Sequence, residues 1–340
     1  MNINELETTV RALVARGKGI LAADESDGTI KKRFDAIQLE SNAENRRAYR
    51  ELLFTTVGIE EFLSGVILFD ETIHQAAAND LPFPQLLAAK GIIPGIKVDR
   101  GTVPLAGHPG EKITEGLDGL RQRLETYREL GARFAKWRAV ITIGGERPSS
   151  TGIVANAHAL ARYAALCQES GLVPIVEPEV LMDGSHDIEI CAAVTEATLR
   201  TVFAELQAQG VHLEGMLLKP NMVLPGKTSP DQVSIHYVAA ETVGIFRRVV
   251  PAAVPGIVFL SGGQSPEQAT AHLNAMNQDS HHPWELSFSY GRALQEPVLQ
   301  TWQGNPANVA NAQRSFYHRA RCNSAARFGD YSNEMEESPA

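Results

Sequence analysis

The chain has 340 residues, 44% hydrophobic and 21% charged, the proportions of an ordinary globular protein of one large or two smaller domains. A net charge of −9 sets the protein as a whole against nucleic acid and anionic membrane, so any anionic ligand needs a locally positive pocket. No apolar stretch approaches a membrane span, and the spacing of Cys167, Cys191 and Cys322 points to reduced core thiols in the cytoplasm, with neither a disulfide framework nor a zinc site.

The N-terminus, MNINELETTVRALVARGKG, carries Glu5 and Glu7 and no continuous apolar run. It reads as a short amphipathic helix rather than a signal peptide. Apolar runs rich in Val, Ile and Leu then recur at 19–24, 65–70, 94–99, 134–140, 173–179, 214–220, 256–263 and 286–291. Between them lie amphipathic stretches such as EGLDGLRQRLETYRELG, ANAHALARYAALCQESG and VTEATLRTVFAELQAQG. These end at Gly131, Gly171 and Gly210, the usual residue just past a helix. Non-alternating apolar strands separated by helices mean a parallel sheet covered on both faces. Eight such units predict an α/β fold, a closed (β/α)8 TIM barrel with one extra helix at the start. An open doubly wound sheet is the alternative, but no G-x-G-x-x-G follows the first strand. From Phe328 the chain turns polar and acidic (GDYSNEMEESPA). The expected organisation is a barrel domain over 1–327 and a flexible, loosely attached tail over 328–340.

In a barrel, chemistry belongs at the C-terminal ends of the strands, and those ends are crowded with ionisable groups here. They are Asp24 and Ser26, Lys97 and Asp99, Lys136 and Arg138, Glu177 and Glu179, Lys219, Ser261 with Gly262-Gly263, and Ser289-Tyr290-Gly291-Arg292. Each taken singly has a structural reading. Asp24 and Ser26 would cap the next helix, and Glu177-Pro178-Glu179 would be a solvated strand end. Lys136 and Glu177 would be a structural ion pair, and Gly262-Gly263 a tight turn. Alternation weighs against this. Residues two apart in a strand share a face, so Lys136 and Arg138 point the same way, as do Glu177 and Glu179. Inward lysines on several strands and paired inward glutamates make a poor core without a ligand.

Lys219 closes the apolar run EGMLLKP, and an ammonium there must leave water. A neutral lysine attacks a carbonyl to form a Schiff base, and burial or a neighbouring cation such as Lys136 favours the neutral form. Dehydrating the carbinolamine needs an acid, for which Glu177 beside Glu179 is suited; cleaving a carbon–carbon bond needs a base, for which Asp24 is the candidate. Ser261, Gly262, Gly291 and Arg292 fit the anion site usual after the last two barrel strands. Ser26, Thr29, Arg33, Lys97 and Arg138 form a second cluster suited to a second phosphate.

The motifs GKGILAADES, GVILFDET, PFPQLLAAKGIIPGIKVD, VPLAG, FAKWR, ARYAALCQESGLVPIVEPE, LEGMLLKPNMV, FLSGGQS and FSYGRALQ resemble class I (Schiff-base) fructose-1,6-bisphosphate aldolase over nearly the whole chain. The resemblance implies reversible cleavage of fructose 1,6-bisphosphate to dihydroxyacetone phosphate and glyceraldehyde 3-phosphate, in glycolysis and gluconeogenesis. By it, Lys219 is the Schiff-base lysine, Glu177 the proton-shuttling acid with Glu179 and Lys136 in support, and Asp24 the cleavage base. Ser261, Gly262, Gly291 and Arg292 take the C1 phosphate; Ser26, Thr29, Arg33, Lys97 and Arg138 lie on the C6 side. It further implies a cytoplasmic homotetramer that uses no metal or cofactor and whose partner is a phosphorylated sugar, not nucleic acid or membrane. His74, His108 and His186 offer no convergent metal set. Many family members end in a tyrosine that assists proton exchange on the enamine. The last tyrosine here is Tyr331, and the expectation is intact cleavage with slower or water-assisted enamine protonation. A Schiff-base aldolase for a single-phosphate sugar and a non-catalytic scaffold are the competing readings.

Overall fold

The structure is a computed structural model that describes residues 2–231, 233–279 and 281–337. Its strands, in chain order, are β1 (Gly19–Ala23), β2 (Leu63–Leu68), β3 (Ile93–Lys97), β4 (Thr102–Pro104), β5 (Lys112–Thr114), β6 (Phe134–Ile141), β7 (Val173–Val180), β8 (Leu217–Leu218), β9 (Gly256–Phe259) and β10 (Glu285–Tyr290). All but β4 and β5 close a barrel in the order β1-β10-β9-β8-β7-β6-β3-β2. Closure is made by parallel pairing of β1 with β10, Ile20 opposite Ser289 and Leu21 opposite Tyr290, which rules out the open sheet. The expected (β/α)8 barrel is therefore the fold. Gly131, Gly171 and Gly210 have φ of 111°, 73° and 67°, the left-handed conformation that ends a helix. No helix among the described residues is long and apolar enough to cross a membrane.

Alternation divides each strand between two cores. Leu21, Ala23, Val66, Leu68, Trp137, Val176 and Phe259 face the surrounding helices. Ile20, Ala22, Ile67, Phe134, Val173, Ile175, Leu217 and Val258 face the barrel interior. The interior is apolar only toward the strand N-termini. Stepping by two along the same face leads from Phe134 to Lys136 and Arg138, from Ile175 to Glu177 and Glu179, and from Leu217 to Lys219. One barrel thus has a greasy floor and a charged mouth.

The floor is closed by α1 (Ile3–Leu13). Its Leu6, Val10 and Leu13, with Val14 just beyond, join the interior cluster at no more than 5% exposure. Phe134 fills the space above two small residues: a Cβ at Gly95 would lie 2.3 Å from its ring, and one at Gly65 3.1 Å. A side chain at Gly95 would overlap the ring outright, and one at Gly65 would first meet Leu13 Cδ2 of α1 at 2.8 Å.

Two features depart from expectation. The antiparallel hairpin β4–β5 interrupts the segment after β3, and Thr114 Oγ1 donates to the Arg138 carbonyl at 2.8 Å, bracing β6. The tail is docked at Tyr331 and Glu336 rather than loosely attached. Tyr331 is buried, its N–H donates to Asn274 Oδ1 at 2.9 Å, and Glu336, in the short helix Glu334–Glu337, pairs with Arg319. The reason is a buried arginine: Arg319 is 2% exposed, and its charge needs a carboxylate. The end of the expected tail, residues 338–340, lies outside the described residues.

Gly95→Ala is expected to lower the melting temperature, an overpacking cost of about 1–3 kcal/mol. Phe134→Leu in the same chain is expected to restore part of the loss, and a double-mutant cycle by thermal denaturation measures the coupling.

Candidate active site

The charged mouth of the barrel opens into a cleft of about 1080 Å³. Every residue given a catalytic or substrate-binding role from the sequence lines it: Asp24, Ser26, Thr29 and Arg33 from β1 and the helix after it, Lys97, Lys136 with Arg138, Glu177 with Glu179, Lys219, Ser261 with Gly262, and Gly291 with Arg292. Nine Lys and Arg residues line the cleft against six Asp and Glu, so this one surface is positive in a chain of net charge −9.

At its base the charges alternate. Lys136 Nζ lies 2.6 Å from Asp24 Oδ2 and 3.1 Å from Glu177 Oε2, and Lys219 Nζ lies 3.4 Å from Glu177 Oε1. Lys136, Glu177 and Lys219 are each no more than 4% exposed. Glu177 thus bridges two lysines with its two oxygens, and its Oε2 contact with Lys136 is an ion pair without hydrogen-bond alignment. Burial alone would favour the neutral acid at Asp24, but Lys136, Lys219 and Lys97 outweigh it and hold the carboxyl well below the usual carboxylate range. Burial likewise opposes the Lys136 ammonium, and Asp24, Glu177 and Asp99 outweigh it and raise Lys136 above an ordinary lysine. The sequence reading made Lys136 a cation beside the nucleophile and, alternatively, an ion-pair partner of Glu177. The structure gives it two carboxylates in contact.

The structural readings of these residues separate here. Ser26 occupies the cap position of the helix Asp27–Asp35 but makes no capping bond, and its hydroxyl meets Thr29 Oγ1 at 3.2 Å. Asp24 pairs with Lys136, not with that helix. Glu177 and Glu179 are buried in the middle and end of β7 rather than solvated. The Lys136–Glu177 ion pair does exist.

The glycine loop after β9 leads to a helix, Pro266–Gln278, with the expected capping box of Ser265 and Gln268. Gly263 has a φ of +78°, and a Cβ at Gly262 would lie 2.7 Å from Leu260, so this loop presents bare backbone to the cleft. Behind it, Gln264 donates to the Ser261 carbonyl at 3.2 Å and receives His272 at 2.6 Å, which fixes the loop. Burial drives the His272 imidazole down to about 4, so it serves there as a neutral ring. Arg292 is exposed at the rim and has no carboxylate partner among the described residues.

The second cluster is already paired: Lys97 Nζ with Asp99 Oδ1 at 2.6 Å, Arg138 with Glu179, and Arg33 with Glu25. Arg33 also changes sides. In the closed barrel β1 neighbours β10, and a Cβ on Gly291 would lie 3.6 Å from Arg33 Nη2, so this guanidinium stands by Gly291 and Arg292. Glu25, which holds it, also takes Arg50 at 2.6 Å and Gln295 Nε2 at 2.8 Å.

Ser289 was seen in the sequence only as part of a strand end and given no role. It lines the cleft, is 1% exposed, and its hydroxyl has no partner. The signal was present: in LSFSYG it shares the inward face with Ser287, and inward hydroxyls in a strand have little other use. Tyr331 does not join the cleft, and its hydroxyl donates to Glu336 at 2.8 Å.

The family model described as "Fructose-bisphosphate aldolase class-I" matches residues 5–340. The chain is 59% identical over 332 residues to the "Probable fructose-bisphosphate aldolase class 1" of Xanthomonas axonopodis pv. citri, covering 97% of this chain and 99% of that protein. It is 56% identical over 334 residues to "Fructose-bisphosphate aldolase 6, cytosolic" of Arabidopsis thaliana, covering 98% and 93%. Among solved structures it is similar to fructose-bisphosphate aldolase from Plasmodium falciparum in complex with TRAP and a small molecule inhibitor, with a TM-score of 0.96, 53% identity and coverage of 97% and 96%. A fold, a cationic cleft and a sequence match of this extent agree: the chain belongs to the class I fructose-bisphosphate aldolase family.

Proposed function

We propose that this aldolase cleaves fructose 1,6-bisphosphate through a Schiff base on Lys219. The observation that carries the reading is the alternating series Asp24, Lys136, Glu177 and Lys219, the last three buried, at the base of a cleft with a surplus of cations on its walls. Lys219 Nζ attacks the C2 carbonyl, and Glu177 protonates the carbinolamine hydroxyl, which leaves as water. The iminium then accepts the electron pair of the C3–C4 bond as Asp24 takes the C4 hydroxyl proton and the aldehyde departs. The resulting enamine takes a proton at C3, and water releases dihydroxyacetone phosphate.

Asp24 is a weak base while Lys136 touches it, because an ion pair at 2.6 Å stabilises the carboxylate. Substrate entering between them would lift that restraint, so the base would gain strength only when the hydroxyl is present. Glu179 orients Arg138, and Lys136 holds both carboxylates in place. The C1 phosphate is assigned to Ser261, Gly262, Ser289, Gly291 and Arg292, with Arg33 beside them. The C6 phosphate is assigned to Ser26, Thr29, Lys97 and Arg138, where it would replace Asp99 and Glu179 as counter-charges. Several relatives carry "cytosolic" in their names, which supports a cytoplasmic enzyme. By resemblance it is a homotetramer.

Borohydride added with dihydroxyacetone phosphate is expected to fix one adduct on Lys219, located by peptide mass mapping. Lys219→Ala is expected to abolish adduct and turnover together, and EDTA to leave turnover unchanged. An adduct on another lysine, or activity lost to EDTA, would refute the assignment.

Glu177→Gln keeps the volume but removes the proton, and iminium formation is expected to slow by about 10²–10⁴-fold in rapid-quench trapping. Lys97→Ala is expected to cut kcat/KM for fructose 1,6-bisphosphate by roughly 10–100-fold, the worth of one charge-assisted hydrogen bond. It is expected to leave fructose 1-phosphate nearly unaffected. Equal losses on both substrates would favour the single-phosphate reading and remove Lys97 from the distal site.

A further inference from the structure

Behind one wall of the cleft, a single buried carboxylate is shared by two arginines. Glu25, just past β1, is 7% exposed. Its Oε2 accepts from Arg50 Nη2 at 2.6 Å, and its Oε1 accepts from Arg33 Nη1 and, at 2.8 Å, from Gln295 Nε2. Glu25 and Arg33 line the cleft, whereas Arg50, from the helix Ala43–Thr55, does not. Arg50 is 3% exposed, its Cζ lies 5.6 Å from the centroid of the Tyr49 ring, and its Nη1 has no partner. Among the described residues, neither arginine pairs with any other carboxylate.

A buried guanidinium without a carboxylate of its own is poor core design, since an apolar side chain of similar volume would avoid both the desolvation and the unpaired Nη1. Arg46, on the same helix, shows the unshared arrangement. Its Nε and Nη2 grip the two oxygens of Glu71 at 2.7 and 2.6 Å, the two-pronged geometry that suits arginine and carboxylate. Arg33 is denied that grip, because Arg50 holds Oε2 and Gln295 shares Oε1. Only its Nη1 is bound; Nη2, beside Gly291, makes no hydrogen bond among the described residues. We propose that Arg50 is a positioning residue for substrate binding: by occupying one oxygen of Glu25 it keeps Nη2 of Arg33 free for the C1 phosphate, an inference that rests on the phosphate assignment above.

The surroundings fix the carboxylate. Gln295 Nε2 also donates to the Ala22 carbonyl at 2.7 Å, and its Oε1 accepts from the Tyr49 hydroxyl at 3.0 Å. Glu25 is thereby tied to β1 and to the helix Arg292–Trp302, whose first residue is Arg292. Without Arg50, Oε2 would be open, and Arg33 would turn onto both oxygens as Arg46 does on Glu71. Its charge would then be cancelled and its Nη2 withdrawn from Gly291. With Arg50 present, two guanidinium groups share one carboxylate and keep one positive charge in surplus. A phosphate arriving at Gly291 and Arg292 meets that surplus and an unused donor, partly shielded from water, where both count for more. Arg50 acts at one remove, through Glu25, and does not touch the substrate.

The test uses the full chain, with steady-state kinetics on fructose 1,6-bisphosphate and fructose 1-phosphate and calorimetric titration with inorganic phosphate. Arg50→Met is expected to raise KM for both substrates and the Kd of phosphate by about 3–10-fold, part of the worth of a charge-assisted hydrogen bond, with kcat nearly unchanged. Both substrates carry the C1 phosphate, so the two losses should be equal, unlike those of Lys97→Ala. Arg50→Lys keeps a cation on Glu25 and should return KM toward wild type. Adding Glu25→Gln to Arg50→Met removes the carboxylate that captures Arg33, and should bring all three constants to wild-type values or below. A merely structural role would make that double variant worse than the single one. Unchanged constants in Arg50→Met, or weaker binding in the double variant, would overturn the inference, and the double variant decides it even where the single one does not fold. A wild type that forms no borohydride adduct on Lys219 refutes the Schiff-base reading instead, and the phosphate Kd values then decide the role of Arg50 alone.

Discussion

The structure depends on keeping four charges out of water at one place. Asp24, Lys136, Glu177 and Lys219 alternate in sign, so each desolvated group faces at least one opposite charge. Removing a carboxylate or ammonium from water costs several kcal/mol even after relaxation, and only close opposite charges offset it. Such a row cannot be built along one strand, where neighbours of like face are two residues apart. The closed barrel supplies it by bringing β1, β6, β7 and the end of β8 around one axis. Closure is therefore an electrostatic requirement of this site as well as a way to remove sheet edges.

The same axis explains the division of labour within the interior. Apolar packing between Phe134, Ile175, Leu217 and α1 makes the floor stiff, and the charged layer stands on it two residues higher. Small residues at Gly65 and Gly95 let a single aromatic ring span the floor. The walls are less rigidly committed. Lys97, Arg138 and Arg33 are held by Asp99, Glu179 and Glu25, counter-charges that a phosphate can replace, whereas Arg292 stands open at the rim. On the proposed phosphate assignment, substrate binding would be largely an exchange of partners for these cations.

Much of this was legible in the sequence because parallel strands carry their burial in unbroken apolar runs. The eight barrel strands fall within or beside the expected runs, and inward charges stood out against them at Lys136, Glu177 and Lys219. Features that depend on distant partners were not legible. The side on which Arg33 stands follows from β1 meeting β10, and local pattern cannot report that. The hairpin β4–β5 has strands too short for a period to register. The docked tail owes its place to Arg319 and Asn274, more than ten residues upstream of their partners, while its own composition reads as solvated. Ser289 was visible but ambiguous, since one inward hydroxyl carries little weight until its lack of a partner is seen.

The plug helix also has a bearing on how the chain is made. α1 is synthesised before every barrel strand, yet the residues that bury it reach as far as Val258 on β9. Until most of the chain has been synthesised, Leu6, Val10 and Leu13 have no complete floor to cover. Contacts of such sequence separation cost loop entropy before they return any stability, which makes barrel closure slow and late. A helix made before the strands it covers is thus among the last elements to find its native partners, and during that interval its apolar face is exposed to aggregation.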